Sequence, residues 1–291
     1  MTVSAPESGV SRRGFLEALG ATSLGAALSG AAIAKTAVAA AAEEPISGKR
    51  MGKKGILYDA SACIGCHYCE EGCKKHNDLS CDVTVNILSL VGPKFPKEML
   101  PDVYRGFEET YTPAIKDDRD AERWLRVTEN SKMIGEATVA LNMRHACTHC
   151  GLCAEVCPSG AIRMHEEGAV TVDPTRCIGC TYCYQACPFD IPRYRDKEKY
   201  GDAGMQKCSM CYERQNRWKT PGCVQSCPTG ALVFGVYEDL VEEGRKRVAA
   251  LKAAGYEKAS LYGEKELGGL GVMYVLPLTR KNYGLPYLPK G

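Results

Sequence analysis

The sequence has almost no net charge: 37 lysines and arginines stand against 35 aspartates and glutamates, a formal +2. Without residues 1–42 the balance is 34 to 33. Charge therefore suggests neither nucleic acid nor an anionic membrane surface as a partner. A phosphate-cradling G-x-G-x-x-G loop is missing, and with it the usual sign of dinucleotide binding. No nucleophile–base pair can be argued from the residues. Long apolar runs are also missing. The Ala/Leu/Gly-rich stretch from about Ala18 to Ala34 is weakly apolar and broken by glycine, a poor spanning helix. No run of spanning length follows Leu276, so the C-terminal part is not expected to cross a membrane. Residues 82–146 hold no cysteine at all.

Cysteine is abundant elsewhere: the chain has 17. Sixteen fall into four groups of four with two-residue spacers. The clearest is Cys177-Ile-Gly-Cys180-Thr-Tyr-Cys183-Tyr-Gln-Ala-Cys187-Pro188. This is the bacterial ferredoxin ligand pattern for a 4Fe–4S cluster. Thiolates are soft ligands that suit iron–sulfur clusters. Short spacers let three sulfurs curl around one cube, with Gly179 permitting the twist. Pro188 ends the ligand turn. Cysteines this close are crowded for disulfides, and zinc sites ask for separated Cys-x2-Cys pairs without a third step.

Three more runs follow the pattern. The first is Cys63, Cys66, Cys69, Cys73, where Lys74 replaces the proline. The second is Cys147, Cys150, Cys153, Cys157 with Pro158. The fourth is Cys208 and Cys211, then an eleven-residue insertion carrying Arg214, Arg217, Trp218 and Lys219, then Cys223 and Cys227 with Pro228. Alone, the fourth run would read as a zinc ribbon; beside the first run it reads as a ligand set. Cys81 is left over and reads as a free structural thiol.

Residues 1–42 read as a targeting segment. Ser11-Arg12-Arg13-Gly14-Phe15-Leu16 is a twin-arginine signal. Small residues at 37–39 or 40–42 offer cleavage sites, and retention of the segment as an anchor stays open. That route exports folded proteins, which fits a chain loaded with clusters before crossing. The expected address is the periplasmic face, with membrane association through partner subunits.

Several elements are predicted along the chain. Gly55–Asp59 reads as a strand. Residues 82–146 read as an insertion, mostly loops with a strand pair among Arg123–Thr128 and Ala137–Asn142, either a binding surface or a shielding cap. Ala161–Val172 reads as a β-hairpin around Glu-Glu-Gly. Phe189–Tyr194 reads as extended and Ala231–Val236 as a strand. Glu238–Ala254 reads as an amphipathic helix with Leu240, Val241, Val248 and Leu251 on one side, closed by Gly255. The tail Leu261–Leu276 is glycine-rich and then β-like.

The order of the four runs, the insertion in the fourth, Cys187–Tyr194 and Pro221–Leu232 resemble the four-cluster ferredoxin subunits of membrane-bound respiratory oxidoreductases. Relatives of that kind include formate dehydrogenase, dimethyl sulfoxide reductase, and tetrathionate or thiosulfate reductase β subunits. The similarity spans about residues 50–275. The twin-arginine signal and the tail Leu261–Gly269 resemble one branch in particular, the iron–sulfur subunit of periplasmic nickel–iron hydrogenase of the hydrogenase-2 type. The chain departs from that branch in lacking a C-terminal membrane helix, and the Cys150–Cys153 spacing is shorter than in many relatives.

The resemblance implies an α+β fold of two pseudo-symmetric two-cluster ferredoxin-like units with long loop insertions, small β-hairpins and short helices. The outer half comprises 50–81 and 200–240, the insertion 82–146, the inner half 147–199, and the C-terminal helix and tail 241–291. It implies that the first run pairs with the fourth and the second with the third. The last cysteine of a run ligates the neighbouring cluster in two-cluster ferredoxins. Four ligand sets follow: Cys63, Cys66, Cys69, Cys227; Cys73, Cys208, Cys211, Cys223; Cys147, Cys150, Cys153, Cys187; and Cys157, Cys177, Cys180, Cys183. Four 4Fe–4S clusters are expected and no catalytic residue.

The expected function is electron transfer between a catalytic subunit and the membrane. The catalytic partner is read as nickel–iron hydrogenase, with a molybdopterin oxidoreductase as the alternative. The far partner is an integral quinone-reactive subunit or a multihaem cytochrome. A self-sufficient cluster enzyme and a storage or assembly ferredoxin are the competing classes; complete ligand sets speak against the first and the long insertions against the second. Arg176, Arg193, Lys207 and Lys74 adjoin ligands and either tune cluster potentials or are solvated. His67 and His149 read as hydrogen-bond donors or surface residues.

Overall fold

In the computed structural model the described residues are 46, 48–80, 123–128, 131–134, 137–195 and 204–291, with the backbone alone for 131–140. The targeting segment, Cys81 and most of the 82–146 insertion lie outside the described residues.

The strands are β1 (Lys54–Asp59), β2 (Leu125–Thr128), β3 (Ser131–Ile134), β4 (Ala137–Ala140), β5 (Met143–Ala146), β6 (Ile162–Met164), β7 (Val170–Val172), β8 (Arg193–Tyr194), β9 (Met205–Gln206), β10 (Leu232–Val236), β11 (Ser260–Tyr262) and β12 (Val272–Leu276). The helices are α1 (Tyr68–Asn77), α2 (Leu152–Glu155), α3 (Tyr182–Gln185), α4 (Tyr212–Gln215), α5 (Gly222–Gln225) and α6 (Tyr237–Ala253). Among the described residues every α-helix but α1 and α6 is one turn long, as expected of segments fixed by ligand loops rather than by helix propensity.

The largest sheet runs β10-β1-β12-β11. β1 pairs antiparallel with β10, Lys54 opposite Val236, and parallel with β12, Ile56 opposite Val272. β12 is buried along its whole length, because both faces of the sheet are covered. On one face Leu57, Met273 and Val275 meet Tyr237, Leu240 and Val241 of α6, with Val248 and Leu251 at the margin. On the other, Ile56, Tyr58, Val272 and Tyr274 face the cysteine loops. Each such large apolar side chain contributes about 1.5–3 kcal/mol by leaving water. The glycine-rich tail is thus no appendage: its strand is central to the sheet.

The remaining sheets are two-stranded ribbons. The predicted hairpin forms as β6–β7, Ile162 opposite Val172. The predicted strand pair of the insertion resolves differently. β2 pairs with β5, a strand not anticipated, and β4 pairs with β3. The reason lies at β2: Leu125 and Val127 are buried, and the Val127 N–H donates to Glu70 of α1 (2.6 Å). The strand is held to the first ligand run rather than to its sequence neighbour. Gly255 closes α6 with φ +93°, its N–H donating to the Lys252 carbonyl. Among the described residues no helix is long and apolar enough to cross a membrane.

Candidate metal centres

The four ligand loops share a backbone feature that the sequence shows at only two of them. The residue before the second cysteine is left-handed in each: Gly65 (φ +67°), His149 (+55°), Gly179 (+70°) and Met210 (+56°). This conformation costs a non-glycine residue roughly 1–2 kcal/mol. His149 and Met210 therefore hold the same turn against their own preference. The turn aims backbone N–H groups at sulfur: His149 N–H lies 3.3 Å from Cys147 Sγ and Met210 N–H 3.4 Å from Cys208 Sγ.

All sixteen run cysteines are free thiols. Cys147, Cys150, Cys153 and Cys187 line one cavity with about 350 Å³ of non-atom space. Cys63, Cys66, Cys69 and Cys227 line another of about 320 Å³. Among the described residues no three cysteines, histidines or carboxylates converge on a single-ion site. The thiols ring their cavities instead, as ligands of an object larger than an ion must.

The third set is drawn together from the first and fourth runs. Burial, and then the like charges of Cys208, Cys223 and Cys211, push the Cys73 thiol well up from its ordinary value. Asn77 Nδ2 lies 3.6 Å from Cys73 Sγ and 3.8 Å from Cys211 Sγ. For the fourth set, burial raises the Cys183 thiol, and the nearby charges of Cys177 and Cys180 add to it. Arg176 ties the two loops of this set, donating to the Ser159 carbonyl at 3.2 Å, two residues past Cys157.

Close helix contact puts these thiols where they are. α1 and α5 cross at two glycines, each one residue before a cysteine. A Cβ on Gly72 would stand 2.7 Å from the Gly222 carbonyl oxygen, and one on Gly222 would stand 2.6 Å from that of Gly72. This glycine-to-glycine approach brings Cys73 beside Cys223. Glu70 anchors the other side of α1. Buried, it accepts from His67 Nδ1 (2.7 Å), Arg123 Nη1 (2.9 Å) and the Val127 N–H.

Burial by itself favours the neutral thiols over the thiolates that a cluster needs. Burial drives Cys153 and Cys208 up to about 12, and Cys187 up to about 11. Thiolates so buried need compensating positive charge. Lys207 is buried and donates to the carbonyls of Val170 and Cys208, and its charge lowers Cys153 against the effect of burial. Arg50 donates to the Gly168 carbonyl (2.7 Å) and to that of His149. Lys49 Nζ donates to the Cys150 carbonyl (2.9 Å). Tyr194 OH lies 3.0 Å from Cys183 Sγ. Thiol sets around roomy cavities, N–H and O–H groups on sulfur, and buried cations together fit 4Fe–4S clusters.

Of the four cations singled out by adjacency, only Lys207 is buried among thiols. Arg176 is exposed, and Arg193 pairs with Asp190 at 3.0 Å. Lys74 is half-buried. The two histidines are not on the surface: His67 is 3% and His149 1% exposed. His149 Nδ1 accepts from the Val170 N–H, and burial holds its pKa well below the ordinary value. The sequence reading missed Arg50 and Arg144. Both belong to segments without ligands; Arg144 alternates with outward His145 in β5, a weak signal that only pairing with β2 makes legible.

Comparison with known proteins points to the same class of cofactor. Two models described as 4Fe–4S dicluster domains match residues 59–161 and 139–237. The chain is 34% identical to the formate dehydrogenase iron–sulfur subunit of Haemophilus influenzae, over 80% of this chain and 68% of that one. It is 36% identical to the nitrate-inducible formate dehydrogenase iron–sulfur subunit of Escherichia coli, over 80% and 72%. It is 34% identical to a subunit of the anaerobic dimethyl sulfoxide reductase of Escherichia coli, over 64% and 75%.

Proposed function

From the premise that the chain belongs to the 4Fe–4S electron-transfer subunits of respiratory oxidoreductases, we propose that its catalytic partner is a molybdopterin enzyme of the formate dehydrogenase type. The chain itself carries four 4Fe–4S clusters and has no catalytic site of its own. A 4Fe–4S cube supplies one-electron storage at a potential set by its surroundings. The residues do the rest. They bind the cubes through the four sets of cysteines given above, exclude water and place charge.

The observation that carries the partner assignment is the pair of formate dehydrogenase subunits matched over four-fifths of this chain. The hydrogenase reading rested on the twin-arginine signal and the glycine-rich tail, and the local backbone accounts for the glycines of that tail. Gly263, Gly268 and Gly269 hold φ of +98°, +72° and +104°, a conformation that favours glycine in any chain making this turn, so the tail glycines do not by themselves single out the hydrogenase branch.

The far partner is an integral quinone-reactive subunit or a multihaem cytochrome. Ile178, Tyr182 and Tyr184 stand exposed around the third run, an apolar patch that supports a protein partner at that end. Ser11-Arg12-Arg13-Gly14-Phe15-Leu16 supports export of the folded, loaded chain to the periplasm. Replacing Arg12 and Arg13 together by lysine should leave the chain in the cytoplasm; unchanged export would refute that address.

The partner is tested by purifying the native complex through a tag on this chain and measuring its metals. Molybdenum or tungsten in equal amount to the chain is expected. Nickel in that amount would restore the hydrogenase reading.

A further inference from the structure

Among the described residues Arg144 is the charged side chain with the most buried polar atoms lacking a hydrogen-bond partner. It lies on β5, three residues before Cys147, with no exposure to solvent. Its Nε, Nη1 and Nη2 find no well-formed hydrogen bond among the described residues. The other buried cations beside the ligand loops differ. Arg50 and Lys207 each donate to backbone carbonyls. Isolating a guanidinium from water costs several kcal/mol unless opposite charge compensates it. Such a group persists only if something beside it is negative.

The groups it bears on are Cys223, Tyr274, Cys208 and Cys69, with Cys223 and Tyr274 directly against it. Neutral thiols and a phenol would leave the cation uncompensated. Thiolates holding a cube would not. The guanidinium remains charged at any working pH.

We propose that Arg144 is the fixed counter-cation of the outer pair of ligand sets, holding the cube on Cys73, Cys208, Cys211 and Cys223 at a raised reduction potential and, more weakly, the cube on Cys63, Cys66, Cys69 and Cys227. Reduction adds one negative charge, and a cation inside the protein stabilises that charge far more than one in water. The role is positioning and electrostatic; Arg144 contacts no substrate. It rests on the ligand sets proposed above.

The test is an electron paramagnetic resonance redox titration of the purified complex, with iron counted in each variant. The variants are Arg144→Gln, Arg144→Met and Arg144→Lys. Gln and Met should lower two of the four midpoints, one more than the other, and leave two in place. Lys should keep all four near native. If Gln and Met fail to assemble four clusters while Lys assembles them, the need for charge is shown by that rescue. Native midpoints in Gln or Met, an equal shift of all four, or loss of clusters in Lys as well would overturn the proposal. A wild-type complex that titrates with fewer than four clusters would instead overturn the ligand sets. So would Cys73→Ser and Cys208→Ser disturbing different clusters.

Discussion

Replacing Gly72 by alanine should break the outer pair of clusters and spare the inner pair. The added Cβ would meet Ser226 Oγ at 2.3 Å, which can turn away, and the Gly222 carbonyl oxygen at 2.7 Å, which cannot. Ordinary contact begins near 3.4 Å, so α1 and α5 must part by about 0.7 Å. Overpacking of this kind costs about 1–3 kcal/mol. Alanine's helix preference returns up to about 1 kcal/mol, so a net loss of up to about 2 kcal/mol remains. At about 2–4 °C per kcal/mol for a domain of this size, Tm should fall by a few degrees. More telling is where the strain goes, since Cys73 and Cys223 are the next residues along the two helices. Iron should drop from about sixteen per chain toward about eight, four per cube, with two resonance signals lost. Gly179→Ala is the control: φ is +70° but no atom lies within 4 Å, so it should cost only about 1–2 kcal/mol of backbone strain and keep four clusters. A Gly72→Ala protein with native iron, midpoints and Tm would refute the crossing as the brace of the outer pair.

Two further predictions concern single side chains. Tyr194→Phe removes the hydroxyl 3.0 Å from Cys183 Sγ; burial, then Cys183 itself, keep the proton on that oxygen. Losing a hydrogen bond to sulfur should lower one midpoint and leave the other three, and a rise or no change in a redox titration counts against it. Leu240→Ala empties the space between α6 and the sheet, where Leu240 is 3% exposed. It should cost about 2–5 kcal/mol in denaturant unfolding with iron content unchanged; loss of clusters would mean that the two faces of the sheet are not independent.

Much of the local structure was legible because it is written in short range. The hairpin at Ile162–Val172 and the helix at Tyr237–Ala253 lie where alternation and helical spacing place them. The thiol runs were legible because ligand spacing is a local constraint. What escaped depends on distant partners. β12 pairs with β1 across more than two hundred residues, and its glycine-rich approach reads as a loose tail. β5 was hidden because its partner β2 is fixed by Glu70, far back in α1. The left-handed turns at His149 and Met210 have no glycine to announce them. Arg144 resembled any surface arginine until the fold buried it among thiols. Adjacency in sequence picked Arg176, which the fold leaves exposed, and Arg193, which pairs with Asp190.

The exchange of last cysteines between the first and fourth runs stands or falls on three variants of the purified complex: Cys73→Ser, Cys208→Ser and Cys69→Ser. Each is read by electron paramagnetic resonance under reductive titration. With the exchange in place, Cys73→Ser and Cys208→Ser alter one and the same signal, while Cys69→Ser alters another. If Cys73→Ser and Cys69→Ser struck the same cluster, each run would hold its own cube, and the exchange would be contradicted.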